Sequence, residues 1–337
     1  MAGGYPMKYA SIIALGAMAL SLSPTLAETA AETAPDLESI ARVEAEVLTP
    51  GAEAGEEIGK YRFVLSFEPG EGREEALIRT RLERGGELAR ILDELSAQIA
   101  LPQDVPVRFT HCGQPNAFWS PTEKDVTMCY ELMALYNQGY TDVQDQFKSV
   151  FSWADQIEVL MGTTIFVLLH EIGHGMVDLF DLPVTGREED SVDQFATFVL
   201  VNSDEEGDPV EARPSRYALL AGYFFEQLKP VGTEVTRKYW ADTHSFGAQR
   251  NIDLFCLVLG SAPEKYGELI LPGLTMVDEF FTENRDIVGS RAVEWLNQTD
   301  DLNLIPWQRA VGCGGEYARY AASWDYLTDT FMTPQPH

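Results

Sequence analysis

Basic residues are scarce in this 337-residue chain: 24 Lys and Arg stand against 53 Asp and Glu, a formal charge of −29. Such a surface repels nucleic acid and anionic membranes, so neither is an expected partner. The acidity serves solubility, and no EF-hand-like spacing of acids points to calcium. Long apolar runs are few. Beyond the first 27 residues none reads as long enough to cross a bilayer. Cysteine is limited to Cys112, Cys129, Cys256 and Cys313, with no close CxxC pair of the kind a structural zinc site uses. Histidine numbers only five, and two of the five fall within one pentapeptide.

The N-terminus reads as a secretory signal over residues 1–27. Lys8 supplies the positive charge, Ile12 to Leu22 the apolar stretch, and Thr25-Leu26-Ala27 a small-x-small cleavage site. Met7-Lys8 is a more natural start than Met1, and an uncleaved anchor is the alternative. No Cys near the cleavage site can take a lipid. The expected location is therefore exported, periplasmic or secreted. An even cysteine count in an exported chain suggests two disulfides. Of the three possible pairings, the expected ones are Cys112–Cys129, closing a short hairpin, and Cys256–Cys313, tying two C-terminal helices.

With 45% hydrophobic and 23% charged residues the mature chain suits a globular protein. Residues 28–55, rich in Ala and Glu, read as a mobile acidic leader with a short helix around Leu37 to Val47. Residues 56–337 form the remaining domain. Tyr61 to Phe67 reads as a strand ended by Pro69-Gly70. Glu74 to Ile99 has helical apolar spacing, with a break expected at Gly85-Gly86. Val105 to His111 is a second strand. Asn116 to Ser120 and Asp125 to Tyr130 flank a Pro-Thr-Glu-Lys turn and predict a hairpin. After Glu131 the pattern is mainly helical. Trp307 and Trp324 read as packing residues, and His111 and His337 have no supporting context.

The pentapeptide is His170-Glu171-Ile172-Gly173-His174, an HExxH motif closing the apolar run Thr164-Ile165-Phe166-Val167-Leu168-Leu169. By residue frequencies the motif arises by chance in about one per cent of chains this long. Residues four apart share a helix face, so both imidazoles can bind one ion while Glu171 reaches a water upon it. A helix apolar nearly all round, as Ile157 to Leu169 is, belongs at the centre of a domain and makes a rigid platform for such ligands.

A catalytic zinc ordinarily has three protein ligands and one open position. Pro183 and Gly186 end the motif helix and start another that carries Glu188, Glu189, Asp190 and Asp193. Glu189 and Asp193 lie four apart on one face. Glu189 is the expected third ligand, and Asp193 the expected partner for the far nitrogen of His170. Glu188 is the main rival. Acids in a first helical turn are favoured by the helix dipole in any case, which is the ordinary reading of Glu188 and Asp190.

HExxH followed by Glu-x-x-x-Asp on the next helix resembles the gluzincin zinc metallopeptidases, which include thermolysin. Asn116-Ala117-Phe118-Trp119 resembles the edge strand of thermolysin-like enzymes, which implies that Asn116 and Ala117 hold the substrate backbone. Thr243-His244, with Arg250 six residues on, resembles an element of the membrane-bound prenyl-protein-processing peptidases, in which the His lies beside the zinc. Ser245 departs from the Pro of that element. The run from His170 to Ala196, with its Leu-Pro-Val-x-Gly-Arg-Glu-Glu-Asp core, is most similar to a family of uncharacterised bacterial proteins described as metallopeptidases. That likeness extends from about Tyr61 to the C-terminus.

Together these imply an α+β, zincin-like fold. A small N-terminal sheet packs on the active-site helix and a mainly helical C-terminal part follows. The implied cofactor is Zn2+, held by His170, His174 and Glu189, and the implied partner is a peptide or protein substrate. Glu171 would act as general base, and His244 would donate to the developing oxyanion. Arg250 would orient His244 or an acid. The ordinary readings are a surface His beside Asp242 and a helix-surface Arg. Two alternatives stand beside this: a non-catalytic, metal-stabilised binding protein of the cell envelope, and a metal-dependent hydrolase acting on non-peptide amides.

Overall fold

A computed structural model describes residues 55, 57–227, 247–273 and 296–334. The signal (1–27), the leader (28–55) apart from Gly55, Thr243, His244 and His337 lie outside the described residues.

Four short strands make one mixed sheet: β1 (Phe63–Phe67), β2 (Val105–Thr110), β3 (Ala117–Ser120) and β4 (Asp125–Cys129), in the order β1-β2-β4-β3. β1 pairs parallel with β2 and β2 parallel with β4, while β3 runs antiparallel along β4. Parallel neighbours need a crossover. The one between β1 and β2 is α1 (Gly72–Gly85) and α2 (Glu87–Ser96). The break expected at Gly85-Gly86 is present: the helical stretch is two helices, parted at Gly86, whose φ of 65° lies in the left-handed region that costs glycine nothing. β2 alternates buried and half-buried residues, whereas β4 is buried throughout, as befits a strand inside the sheet. The predicted hairpin forms, but Tyr130 opens a helix instead of ending the strand.

The other described residues are mainly helical: α3 (Tyr130–Val150), α4 (Gln156–Phe180), α5 (Glu188–Asn202), α6 (Arg216–Gln227), α7 (Gly247–Ser261), α8 (Pro263–Ile270), α9 (Trp307–Ala310) and α10 (Cys313–Leu327). The architecture is α+β, a small N-terminal sheet followed by helices. α4 is its axis. Asp155 caps it, accepting from the amides of Ile157 and Glu158 at 2.8 and 2.9 Å. It ends at Asp181, in the left-handed region, ahead of Pro183. β3, β4, α3, α5 and α6 all pack on it. One expectation needs correction. With 25 residues and a mean hydropathy of 1.3 in its most apolar stretch, α4 is long and apolar enough to cross a bilayer. Its apolar surface has another explanation, since 94% of that stretch is buried against the rest of the chain.

Both expected disulfides are present, Cys112–Cys129 and Cys256–Cys313. The first ties the loop entering β3 to the end of β4, and the second joins α7 to α10. Trp324 is buried against Phe195, as a packing residue should be. His111, which the sequence left without a role, sits among acids. Its Nδ1 lies 3.0 Å from Glu75 and 3.0 Å from Glu131, and Nε2 lies 3.6 Å from Glu71. The hydrogen bond to Glu75 raises its pKa above the ordinary imidazole value. Burial opposes the rise, and the charges of Glu71, Glu75 and Glu131 reinforce it.

A raised folded-state pKa stabilises below the unfolded value, and the contribution is lost as pH climbs through the folded one. His111→Gln should therefore lower the melting temperature most near about pH 5.5 and least near about pH 9. A deficit that grows with pH in thermal melts would contradict this role.

Candidate metal centre

His170 and His174 occupy successive turns of α4, and the seven-residue connection 181–187 brings the first turn of α5 against them. The approach is close because position 173 has no side chain: a Cβ there would lie 2.8 Å from Val192 Cβ. Glu189 Oε2 then lies 3.2 Å from His170 Nε2 and 3.4 Å from His174 Nε2. Among the described residues, these three atoms form one of the clusters close enough to share an ion. The separations are diagnostic. Ligand atoms about 2.0–2.1 Å from a zinc in tetrahedral geometry are about 3.3–3.4 Å from each other. Two neutral nitrogens and one carboxylate oxygen are also the donor types a catalytic zinc takes, so the residues fit the ion.

Each imidazole turns its other nitrogen to a carboxylate. His170 Nδ1 bonds Asp193 Oδ1 at 2.8 Å, and His174 Nδ1 bonds Glu188 Oε1 at 2.6 Å. Such partners fix the tautomer so that Nε2 faces inward, and they raise the ligand's basicity. Asp193 is itself held by Arg250 in a two-pronged pair, Nε to Oδ2 and Nη2 to Oδ1, both 2.7 Å. The guanidinium rests on the Phe225 ring, 4.3 Å from its centroid. Arg250 thus orients an acid, one of the two options its sequence context offered. His244, the other, is outside the described residues.

Electrostatics follow from this packing. Burial disfavours a charged His170, but its bonds to Asp193 and Glu189 outweigh that and lift it to about 9. Burial likewise works against ionised Asp193, yet Arg250, then His170, hold it down to about 2. His174 is raised above the ordinary value, burial again being overcome by Glu189 and Glu188. The carboxylates around the two imidazoles thus favour positive charge there.

Glu171 is buried on the same helix, and its Oε2 accepts the backbone N–H of Trp119 at 3.1 Å. That leaves Oε1 for a water. The bond also orients β3. Cys129 donates its N–H to the carbonyl of Asn116, so Asn116 faces inward to β4. By the alternation of an antiparallel ladder, Ala117 and Trp119 turn their backbone groups to the open edge. Ala117 is therefore placed to pair with an added strand, whereas Asn116 can offer only its exposed side chain.

Residues 67–328 match the sequence model of a family described as "Putative metallopeptidase". The chain belongs to that family. No curated protein and no solved structure matches it. Membership in a metallopeptidase family implies a bound metal ion and a peptide or protein substrate, and the cluster on α4 and α5 has the ligand types for the ion.

Three features of this metallopeptidase-family site were not read from the sequence. Glu188, whose sequence context offers a rival ligand or an ordinary first-turn acid, instead partners His174 Nδ1. Trp119 anchors the general-base candidate through its backbone, which no side-chain pattern reports. Asp178, four residues after His174 on the same helix face, has a signal in that spacing and bonds Trp119 and Lys124. Asp193→Asn should keep the metal but weaken its binding about ten- to a hundredfold, because the amide cannot match the carboxylate's grip on His170 and Arg250. Competition with a chromogenic chelator measures this. Wild-type affinity in the variant would remove Asp193 from the account.

Proposed function

We propose that the protein is an exported zinc-dependent peptidase of gluzincin type and zincin-like fold, with Glu171 as general base. The observation that carries this reading is the gathering of His170 Nε2, His174 Nε2 and Glu189 Oε2 into one cluster, with Glu171 next in sequence to His170 on the same helix. Two disulfides in the chain support export to an oxidising compartment, as does the signal-like residue pattern of 1–27.

Zinc, when bound, polarises the scissile carbonyl and lowers the pKa of water toward neutrality. The chain's own residues do the rest. Ala117, on the open edge of β3, pairs with the substrate backbone as an added strand, and Asn116 contributes its side chain. Glu171 accepts the water's proton and passes it to the departing amine. Trp119 keeps the carboxylate turned for that task. His244 is the proposed donor to the developing oxyanion.

A broad peptide-library digest tests the reading, run on the protein as purified, after chelation and after zinc is restored. Cleavage that disappears with chelation and returns with zinc is the expected result. A protein that binds zinc and cleaves no peptide would favour a metal-stabilised binding module or a hydrolase of non-peptide amides.

A further inference from the structure

Asp178 lies on α4 one turn beyond His174, on the side facing the β3–β4 hairpin. Its Oδ2 accepts the indole N–H of Trp119 at 2.8 Å and an N–H of the Lys124 ammonium at 2.7 Å. One carboxylate oxygen thus grips the hairpin at both ends of the turn, at the last strand residues of β3 and at Lys124 just before β4. Lys124 adopts φ 54°, in the left-handed region, which fixes the turn's shape where its side chain reaches back. The indole lies flat on the helix because position 175 is glycine: a Cβ there would come within 2.9 Å of Trp119 Cε3 and Cζ3. The same Trp119 donates its backbone N–H to Glu171. A single residue therefore carries the clasp on its side chain and the general base on its backbone.

We propose that Asp178 is a positioning residue. By holding Trp119 and Lys124 together on α4, it sets where the open edge of β3 lies over the metal centre and how the Glu171 carboxylate is turned. The inference rests on the peptidase reading for its kinetic consequence, but not for its structural one. Its physical basis is rigidity. The hairpin is two strands of four and five residues, and among the described residues only one side of it is paired by strand. A displacement of about 1 Å in such a constellation can lower turnover about a hundredfold. Asp178 is only half-buried, and its bonds go to Trp119 and Lys124 and not to the ligands or to the acids that hold them, so its removal need not disturb the ion.

Four variants separate positioning from general stability: Asp178→Ala, Asp178→Asn, Trp119→Phe and the double change Asp178→Ala with Trp119→Phe. Trp119→Phe keeps an aromatic ring on Gly175 and deletes the indole N–H. Asp178→Asn keeps an acceptor for that N–H and loses the charge pair with Lys124. Expected for Asp178→Ala is full zinc content, a fall in kcat of about ten- to a hundredfold with little change in KM, and faster amide exchange confined to residues 117–120. Trp119→Phe should match it, the double variant should be no worse than either, and Asp178→Asn should recover most of the loss. Wild-type kcat together with wild-type exchange at 117–120 in Asp178→Ala would overturn the proposal. So would additive losses in the double variant. If the wild-type protein cleaves nothing, the peptidase reading fails, while the exchange measurement still decides whether Asp178 holds β3. If Asp178→Ala does not fold, Trp119→Phe and Asp178→Asn provide the same two readouts.

Discussion

Glu171→Gln should retain its zinc and lose about 10²–10⁴-fold in peptide hydrolysis. The substitution is nearly isosteric and keeps an oxygen able to accept the Trp119 amide, so the buried position is not vacated. What disappears is the capacity to take a proton from water. The ligand set is untouched, since His170, His174 and Glu189 supply the donor atoms and Glu171 is not among them. Metal content and turnover should therefore separate cleanly, with stoichiometry measured by mass spectrometry and cleavage on the same preparation. Equal loss of metal and activity would mean that Glu171 supports the site structurally. Activity equal to wild type would exclude it as the base.

Glu189→Ala should have the largest effect on metal binding among the acids of α5. Its Oε2 lies 3.2 and 3.4 Å from the two Nε2 atoms. Glu188 instead bonds His174 Nδ1, the nitrogen that faces away from the ligand cluster. Losing a ligand should cost more than about a hundredfold in zinc affinity, beyond the ten- to hundredfold typical when an orienting partner is lost. The expected order is thus Glu189→Ala worst, Glu188→Ala about ten- to a hundredfold weakened, and Asp190→Ala close to wild type. A Glu188 variant that loses more metal than the Glu189 variant would reverse the roles of the two side chains.

How much of this was legible in the sequence depends on which forces carry each feature. The motif helix and its burial were plain, because helical spacing and an unbroken apolar run report directly on a central helix. The choice of Glu189 rested on the same 3.6-residue geometry, read across one turn to Asp193. The hairpin showed itself through strand-forming residues around a Pro-Thr-Glu-Lys turn. The sheet order did not, since β2 lies between β1 and β4 only through packing that no local pattern encodes. The role of His111 was invisible for a related reason: Glu75 and Glu131 are 36 and 20 positions away in sequence and meet it only once α1 and α3 are in place. Trp119 falls in the stretch that resembles a substrate-binding strand, but its link to Glu171 is a backbone bond across 52 residues.

The central claim is that one ion sits between α4 and α5, and a diffraction experiment reads it directly. Crystals of the protein loaded with one equivalent of zinc, measured on either side of the zinc absorption edge, should give one strong anomalous peak per chain. The peak is expected at about 2.0–2.2 Å from His170 Nε2, His174 Nε2 and a Glu189 oxygen, with Glu171 outside bonding distance. A peak placed elsewhere, or a fourth protein ligand closing the position beside Glu171, would contradict the account.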